Sequence, residues 1–330
     1  MADPAKKFEA LLDFFDDLLI LKGLSSREHF LPAGGKVQPV FQEVSLTVRK
    51  GEIWAFYSPS LITVKLLLET ACNLAPAASG QPIFLQKKTP GKRQLPDNIF
   101  YIDSTGMLYE HMNPLEAVML ATAKKETDPV IRQNEIFETL IDLGMGHLSL
   151  TPIYFLSAEE KALIELVIAF YSPKRLMVFN LPECIFDDIL LEALARLSDR
   201  IAQQDRALIV GTGDADLVEK TASHAACIIG GSLVFQGTVE ELRQYDRTLM
   251  TIRDEELEWL KEKLTELYPF LHYEADGDQL WISGGSGSLT DPSAIQETMV
   301  RQGLLPRQVT LNHRTAQRAL QALGEDHDLP

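Results

Sequence analysis

The segment Ser58–Leu66 combines hydroxyl side chains with a lysine and follows the apolar run Ile53–Tyr57. A strand, a short loop and a helix in this order bind phosphate when glycines expose backbone N–H groups and a lysine and a hydroxyl reach the phosphate and Mg²⁺. The residues at those motif positions here are Ser58, Thr63, Val64, Lys65 and Leu66. Serine and threonine replace two glycines, valine replaces the lysine, and lysine and leucine replace the hydroxyl pair. Because β-branched residues also resist the backbone conformations of such a loop, the sequence predicts a plain strand, turn and helix.

A second segment with catalytic potential follows the apolar run Leu176–Phe179. In nucleotide hydrolysis an aspartate at the end of such a strand holds Mg²⁺, and the following glutamate activates the attacking water. This chain has Asn180 and Leu181 there. Asn180 can hydrogen-bond water, but Leu181 cannot accept a proton. Glu183 lies nearby, and a solvated loop carboxylate is the simpler interpretation of it.

Ser157 is followed three positions later by Glu160. This spacing is typical of a capping box, in which the serine hydroxyl and the glutamate carboxylate satisfy backbone N–H groups at the start of a helix. It predicts a helix that runs to Phe170.

The chain shows no metal or nucleophile motif. Its seven histidines are scattered without the close pairs of a metal site, and it has no Gly-x-Ser-x-Gly elbow. Cys72, Cys184 and Cys227 are far apart in apolar runs. We therefore expect buried thiols and no metal.

The net charge of −16 on 330 residues argues against nucleic acid as a partner, because that affinity comes mainly from clustered lysine and arginine. The acidity also disfavours direct adsorption to an anionic membrane. The most apolar stretch, Ala162–Phe170, is interrupted by Glu165 and is shorter than the roughly 20 residues of a membrane span. The acidic N-terminus is unlike a secretory signal. We expect a cytoplasmic protein that meets a membrane only through another protein.

From Leu18 to about Tyr245 short apolar runs alternate with helical periodicity, which is typical of an α/β domain with a largely parallel sheet. The predicted strands are Leu18–Leu21, Val44–Val48, Ile53–Tyr57, Ile99–Ile102, Leu176–Phe179 and Ala207–Val210. The mostly helical pattern from about 105 to 172 predicts a helical subdomain before the fifth of these strands. Gly230 and Gly231, between two apolar runs, predict a β-hairpin.

The pattern changes after Tyr245 and predicts a second domain, residues 246–330. Its first six elements are strand, helix, strand, strand, helix and strand, which is a ferredoxin-like order. Their predicted bounds are Leu249–Ile252, Glu255–Leu267, Leu271–Glu274, Leu280–Ile282, Ser293–Gln302 and Gln308–Leu311, and a helix at Thr315–Leu323 follows them.

Several segments, taken in order and spacing, resemble the ATP-binding subunit of an ABC transporter, of the type that serves ABC-2 exporters. They are Phe41–Ile53, Leu74–Gly80, Leu108–Glu116 and Gly230–Leu242. The resemblance implies a P-loop NTPase-like ABC ATPase sandwich over 18–245, with the inserted helical subdomain. It also implies a small α+β accessory domain over 246–330, and 1–17 is left as an N-terminal extension.

The resemblance assigns roles to further positions, most of which have lost the family's residue. Ser104 and Gly213 stand where the family has its switch glutamine and switch histidine. Ser157-Ala158-Glu159 stands in the signature that closes on ATP held by the opposite subunit, with Glu159 in place of a glycine. Asp187 matches the family's dimer-contact aspartate. The family binds ATP and Mg²⁺, but with the phosphate loop replaced we expect neither cofactor here.

The resemblance leaves three functions open. The first is a pseudo-ATPase subunit, a scaffold or regulator that docks on a membrane permease and dimerises with an intact ABC ATPase at the inner face of the cell membrane. The second is a diverged but working ATPase that supplies Ser157 to a partner's site. The third is a free-standing adaptor that acts without nucleotide.

Overall fold

A computed structural model describes residues 16–30, 38–85, 87–88, 94–104, 106–124, 128–284, 291–312 and 314–327. The chain divides into two compact units, Met1–Val239 and Glu240–Pro330. Most of the predicted N-terminal extension, and Thr105 at the predicted start of the helical subdomain, lie outside the described residues.

A six-stranded sheet forms the centre of the first unit. Its strands are β5 (Ile53–Tyr57), β8 (Ile99–Ile102), β9 (Leu176–Phe179), β10 (Ala207–Thr212), β11 (His224–Ile229) and β12 (Ser232–Thr238). Their order is β12-β11-β5-β10-β9-β8, and only the β11–β12 pair is antiparallel. β9 and β10 are apolar along nearly their whole length because both faces of a parallel sheet are covered.

A second, four-stranded sheet has the order β4-β1-β6-β7. It consists of β1 (Asp17–Ser26), β4 (Val44–Arg49), β6 (Ala77–Phe84) and β7 (Lys87–Lys88), all paired antiparallel. A short pair, β2 (His29–Phe30) and β3 (Gln38–Pro39), lies outside it. Apolar side chains of both large sheets form one core with helix α1, Leu61–Ala71.

The opposite face of the six-stranded sheet packs against helices in a second apolar core. These helices are α2 (Pro114–Ala121), α3 (Pro129–Asp142), α4 (Ala158–Tyr171), α5 (Asp188–Gln203) and α6 (Ala215–Thr221). Two 3₁₀ turns, Gly146–Leu148 and Ile153–Phe155, lie between α3 and α4. All regular secondary structure that is described between β8 and β9 is therefore helical.

Helix α7 (Val239–Arg243) spans the division between the two units. The second unit has a four-stranded antiparallel sheet in the order β14-β15-β13-β16. Its strands are β13 (Thr248–Arg253), β14 (His272–Asp276), β15 (Gln279–Ser283) and β16 (Gln308–Leu311). Its helices are α8 (Leu257–Leu267), α9 (Pro292–Arg301) and α10 (Ala316–His327), and α8 and α9 share a core with the sheet.

The structure confirms each predicted strand and the helices of the second unit, with shifts of a few residues at their ends. The hairpin at Gly230 and Gly231 is also confirmed, because both residues have positive φ between β11 and β12. Strand β6 was not predicted. β1 is longer than predicted, since it continues from Leu21 to Ser26.

Candidate functional site

The parallel strands bring the phosphate-loop, aspartate and switch positions to one edge of the six-stranded sheet. Ser58 follows β5, Ser104 follows β8, Asn180 follows β9 and Gly213 follows β10. Backbone hydrogen bonds join neighbouring ends, from Ser58 N to the Thr212 carbonyl (3.3 Å) and from Asn180 N to the Ile102 carbonyl (2.8 Å). Ligands of open α/β sheets bind at this carboxyl edge. The structure thus brings these predicted positions to one edge of the sheet, and the chemistry of this candidate site depends on its side chains.

Helix α1 begins almost immediately after β5, which leaves only Ser58-Pro59-Ser60 as a loop. Ser60 is the N-cap residue, with φ −92° and ψ 102°, and its hydroxyl oxygen accepts from Thr63 N at 3.4 Å and from Thr63 Oγ1 at 3.0 Å. Serine is among the best N-cap residues. The segment that would wrap a phosphate is thus the first turn of a helix.

The backbone donors of this loop are bonded within the protein. Ser60 N donates to the Ser58 hydroxyl at 3.2 Å, and Pro59 has no N–H group. Thr63 N also donates to the Ser60 carbonyl, at 3.0 Å. A phosphate loop directs such donors at the ligand, whereas Ser60 N and Thr63 N bond within the protein.

Val64, which the resemblance assigns to the position of the phosphate-binding lysine, is fully buried. It packs against β10, where a Cβ added at Gly211 would lie 2.7 Å from Val64 Cγ1. Leu66 joins the same core. Lys65 remains half exposed, with Nζ 3.8 Å from Glu183 Oε1.

Asn180 follows β9 and is fully buried, and its carboxamide forms hydrogen bonds to α1 and to β8. Nδ2 donates to the Lys65 carbonyl of α1 at 3.2 Å and to the Tyr101 hydroxyl of β8 at 2.5 Å. Burial raises the pKa of Tyr101 well above its usual value, and the hydrogen bond from Asn180 opposes this only in part. Among the described residues, Asn180 Oδ1 has no hydrogen-bond partner.

These residues do not fit ATP and Mg²⁺. A single amide oxygen replaces the aspartate carboxylate, and Lys65 and Leu66 provide no hydroxyl ligand for the ion. Leu181, which the resemblance assigns to the position of the catalytic glutamate, is only 7% exposed and belongs to an apolar cluster with Phe179 and Phe186.

The two switch positions carry no sensor. A Cβ added at Gly213 would lie 2.6 Å from Leu61 Cδ2, so the leucine that begins α1 occupies the space of a side chain there. Ser104 is an exposed residue in the turn after β8.

The predicted capping box at Ser157 is confirmed. Ser157 Oγ accepts from Glu160 N at 3.1 Å, and Glu160 Oε2 accepts from Ser157 N at 2.7 Å. Ala158 and Glu159 form the first turn of α4. Asp187 is the N-cap residue of α5, because its carboxylate accepts a hydrogen bond from Leu190 N at 2.8 Å.

Sequence reasoning missed the contact of Glu165, which it noted only as an interruption of an apolar stretch. Glu165 is buried in α4, and its Oε1 accepts from Met107 N at 2.8 Å. Burial raises the pKa of this carboxyl, the Met107 N–H lowers it in part, and Asp103 raises it further. This hydrogen bond therefore connects Met107, in the segment after β8, to helix α4. A single acid in an apolar helix was the signal for this contact.

Over the part of the chain that the structure describes, no group of histidine, cysteine and carboxylate residues is arranged to hold a metal. Cys72, Cys184 and Cys227 are free and buried, as expected. Burial raises the pKa of Cys184 to about 11, with the charges of Glu159 and Glu183 adding to it, so this thiol is unreactive at neutral pH. No helix within the described ranges is long and apolar enough to cross a membrane.

Solved structures with a similar fold include ATP-binding cassettes of ABC transporters. A cassette in its ADP conformation is 16% identical with a TM-score of 0.52, and the match covers 69% of this chain and 93% of that one. CbiO1 from Clostridium perfringens, part of an ABC transporter complex, is 16% identical with a TM-score of 0.55, over 77% and 97% of the two chains. A dimeric bacterial cassette is 14% identical with a TM-score of 0.52, over 67% and 98%.

No protein-family model matches the sequence, and no curated protein matches it. The chain has the fold of an ABC transporter ATP-binding cassette, and at these identities the similarity establishes the fold alone.

Proposed function

We propose that this chain is a catalytically degenerate ATP-binding subunit of an ABC transporter, of the ABC-2 exporter type, that acts as a scaffold or regulator. The observation that carries the proposal is that the protein's own packing occupies the nucleotide site. Val64 and Leu181 are core residues, and Asn180 bonds to the protein. Such a unit would retain the partner-binding surfaces of the fold but would not hydrolyse ATP.

A membrane permease is the first proposed partner, and an exposed apolar patch supports it. The patch consists of Met107, Tyr109, Tyr154 and Phe155, which are each more than half exposed. Backbone bonds from Ile153 N to the Met112 carbonyl (2.8 Å) and from Tyr154 N to the Glu110 carbonyl (3.0 Å) hold its two segments together. Exposed aromatic clusters of this kind mark interaction sites. In the family that this chain resembles, a short permease helix docks beside the helical subdomain.

An intact ABC ATPase is the second proposed partner, bound at the edge that carries Asp187. The carboxylate of Asp187 is exposed while it caps α5. We also propose that 246–330 is a ferredoxin-like accessory domain, which the strand order of its sheet supports. The complex would lie at the cytoplasmic face of the membrane and be held there by the permease.

Calorimetry with Mg²⁺ and ATP or ADP tests the degenerate site directly. We expect no binding by the isolated chain at millimolar nucleotide. Mg²⁺-dependent binding in the micromolar range would overturn the proposal.

Co-purification separates the remaining functions. A permease together with an intact ATPase supports the scaffold, provided that Ser157→Asn leaves the ATPase rate of the complex unchanged. Asparagine keeps the helix cap but removes the hydroxyl, so loss of that rate would favour a working signature. Recovery of neither partner would favour an adaptor outside transport.

A further inference from the structure

Helix α4 carries a buried carboxylate that the proposed function does not use. Glu165 is 5% exposed and stands between the fully buried Ile164 and Leu166. Glutamate is almost never fully buried unless it is paired. Here a backbone group outside the helix provides the contact, because Glu165 Oε1 accepts from Met107 N at 2.8 Å. The burial of this acid therefore depends on the segment that follows β8.

The backbone of this segment passes close to the carboxylate. Gly106 has a φ of +62°, and a Cβ added there would lie 3.3 Å from Glu165 Oε1. Glycine adopts a positive φ readily and has no side chain to obstruct the approach. Gly106 N also donates to the Asp103 carbonyl at 3.4 Å. The chain thus turns after Asp103 and brings Met107 N to Glu165.

Two residues of this segment belong to the exposed apolar patch. Met107 and Tyr109 are 60% and 57% exposed, whereas Leu108 between them packs against the helical core. The bond to Glu165 fixes the backbone at Met107, and the bond from Tyr154 N to the Glu110 carbonyl fixes it beyond Tyr109. An interface whose side chains are ordered before binding loses less conformational entropy when a partner arrives.

We propose that Glu165 is the positioning residue of this patch, because its carboxylate holds Met107 and Tyr109 in place before the permease binds. The docking part of this inference rests on the proposed function. The positioning is a property of the free chain, so it can be measured without a partner. Glu165 itself is buried and would act only through Met107.

Amide hydrogen exchange of Met107, measured by NMR on the full chain with isotope-labelled methionine, tests the positioning. Glu165→Leu removes the acceptor, and an apolar residue in place of a buried charge often leaves stability unchanged. The Met107 N–H should then exchange at least about tenfold faster, since a hydrogen bond to a charged group contributes that factor or more. Glu165→Gln keeps an acceptor oxygen, so exchange should stay within about threefold of the unaltered chain.

Val167→Ala is the matched control, because Val167 is fully buried on the same helix. The cavity that it creates lowers the stability of the fold but leaves the bond to Met107 intact. It should therefore not accelerate Met107 relative to the other methionine amides. Unchanged exchange of Met107 in Glu165→Leu overturns the proposal, and so does equal acceleration in Val167→Ala.

A pH titration of the Met107 amide resonance identifies the carboxylate. Burial raises the pKa of Glu165, the Met107 N–H lowers it in part, and the charge of Asp103 at the end of β8 raises it further. The bond to an ionised carboxylate is the stronger one, so the resonance should shift with a midpoint above that of an ordinary glutamate. Asp103→Asn should lower this midpoint, and Glu165→Gln should abolish the titration. A Met107 resonance that does not titrate in the unaltered chain contradicts the proposal.

Membrane fractionation then connects the positioning to docking. Where the unaltered chain is membrane-bound, Glu165→Leu should reduce the bound fraction at least about threefold, and Glu165→Gln should restore it. Equal binding by Glu165→Leu would refute the docking role. No membrane-bound fraction of the unaltered chain contradicts the proposed permease contact instead, and the exchange of Met107 then decides the role of Glu165 by itself.

Discussion

Gly211 and Gly213 lie on either side of Thr212, yet a side chain at each would meet a different neighbour. At Gly211 an added Cβ would lie 2.6 Å from Leu68 Cδ1, and Leu68 is fully buried. At Gly213 the nearest atom belongs to Leu61, which is 39% exposed and can turn towards solvent. The first glycine is therefore a packing requirement, and the second is not.

We expect Gly211→Ala to lower the free energy of unfolding by about 1–3 kcal/mol, because it overpacks the core. Gly213→Ala should cost much less. Chemical denaturation of the two variants measures the difference in the free energy of unfolding. Adding Val64→Ala should restore part of the stability lost in Gly211→Ala, and it should restore none in Gly213→Ala. Equal losses at both positions would show that α1 is not packed on β10 as described.

Leu181 gives a prediction with a defined pH dependence. Leu181→Glu should yield no ATP hydrolysis, because a general base has no effect when phosphate and Mg²⁺ are not held. It should also destabilise the fold by up to about 3–5 kcal/mol at neutral pH, since it places an unpaired carboxylate in an apolar cluster.

Burial would raise the folded-state pKa of this new carboxyl above its unfolded value. The folded state then binds more protons, so the loss of stability should shrink as the pH falls towards 5 and grow as it rises. Urea denaturation at several pH values measures this slope, and Leu181→Gln is the matched neutral control. A loss that does not vary with pH would mean that the glutamate reaches solvent.

At the scale of helices and strands, Ser157 forms the capping box at the start of α4. Ser157→Ala should cost about 0.5–2 kcal/mol through loss of the cap, whereas Ser157→Asp should keep most of the stability. Thermal unfolding of both variants checks this. If Ser157→Asp is as destabilised as Ser157→Ala, the hydroxyl makes a contact other than the capping box.

Continuous apolar runs made the strands beside the candidate site the clearest ones to predict from the sequence. β5, β8, β9 and β10 are such strands, and their ends define the candidate site. Strand β6 contains Ser79-Gly80-Gln81-Pro82, which is typical of a turn. Gly80 has a φ of +74° at a shift of register beside Gly23, an irregularity that depends on the partner strand β1. No local pattern reveals such a pairing.

The sequence predicts which motif residues the candidate site lacks, but the contacts of the residues in their place could be described only in three dimensions. The replacement of the motif glycines and of the lysine is a prediction from the resemblance and needs only the sequence. That Asn180 bonds to Lys65 of α1 and to Tyr101 of β8 depends on contacts between residues far apart in the chain. The same holds for Glu165 and Met107.

At the scale of the whole molecule, a net charge of −16 keeps the chain away from anionic surfaces. The proposed recruitment to a membrane would then depend on a specific contact, for which we propose the exposed patch formed by Met107, Tyr109, Tyr154 and Phe155. Its two 3₁₀-turn residues, Tyr154 and Phe155, are exposed by 66% and 74% and pack edge to face at 5.3 Å. They present two aromatic rings to solvent without supporting the core.

The double variant Tyr154→Ser/Phe155→Ser should therefore retain its stability, because exposed positions outside the core cost little. If the patch binds a permease, the same variant should leave the membrane fraction of the cells in which the chain is native and appear in the soluble fraction. Fractionation followed by immunodetection measures this, with circular dichroism as the check on folding. Val300→Ser/Leu305→Ser, which removes two exposed apolar side chains from the second unit, is the matched control. Loss of the membrane-bound fraction in the control alone would assign the contact to the second unit, and no loss in either variant would contradict the proposed docking surface.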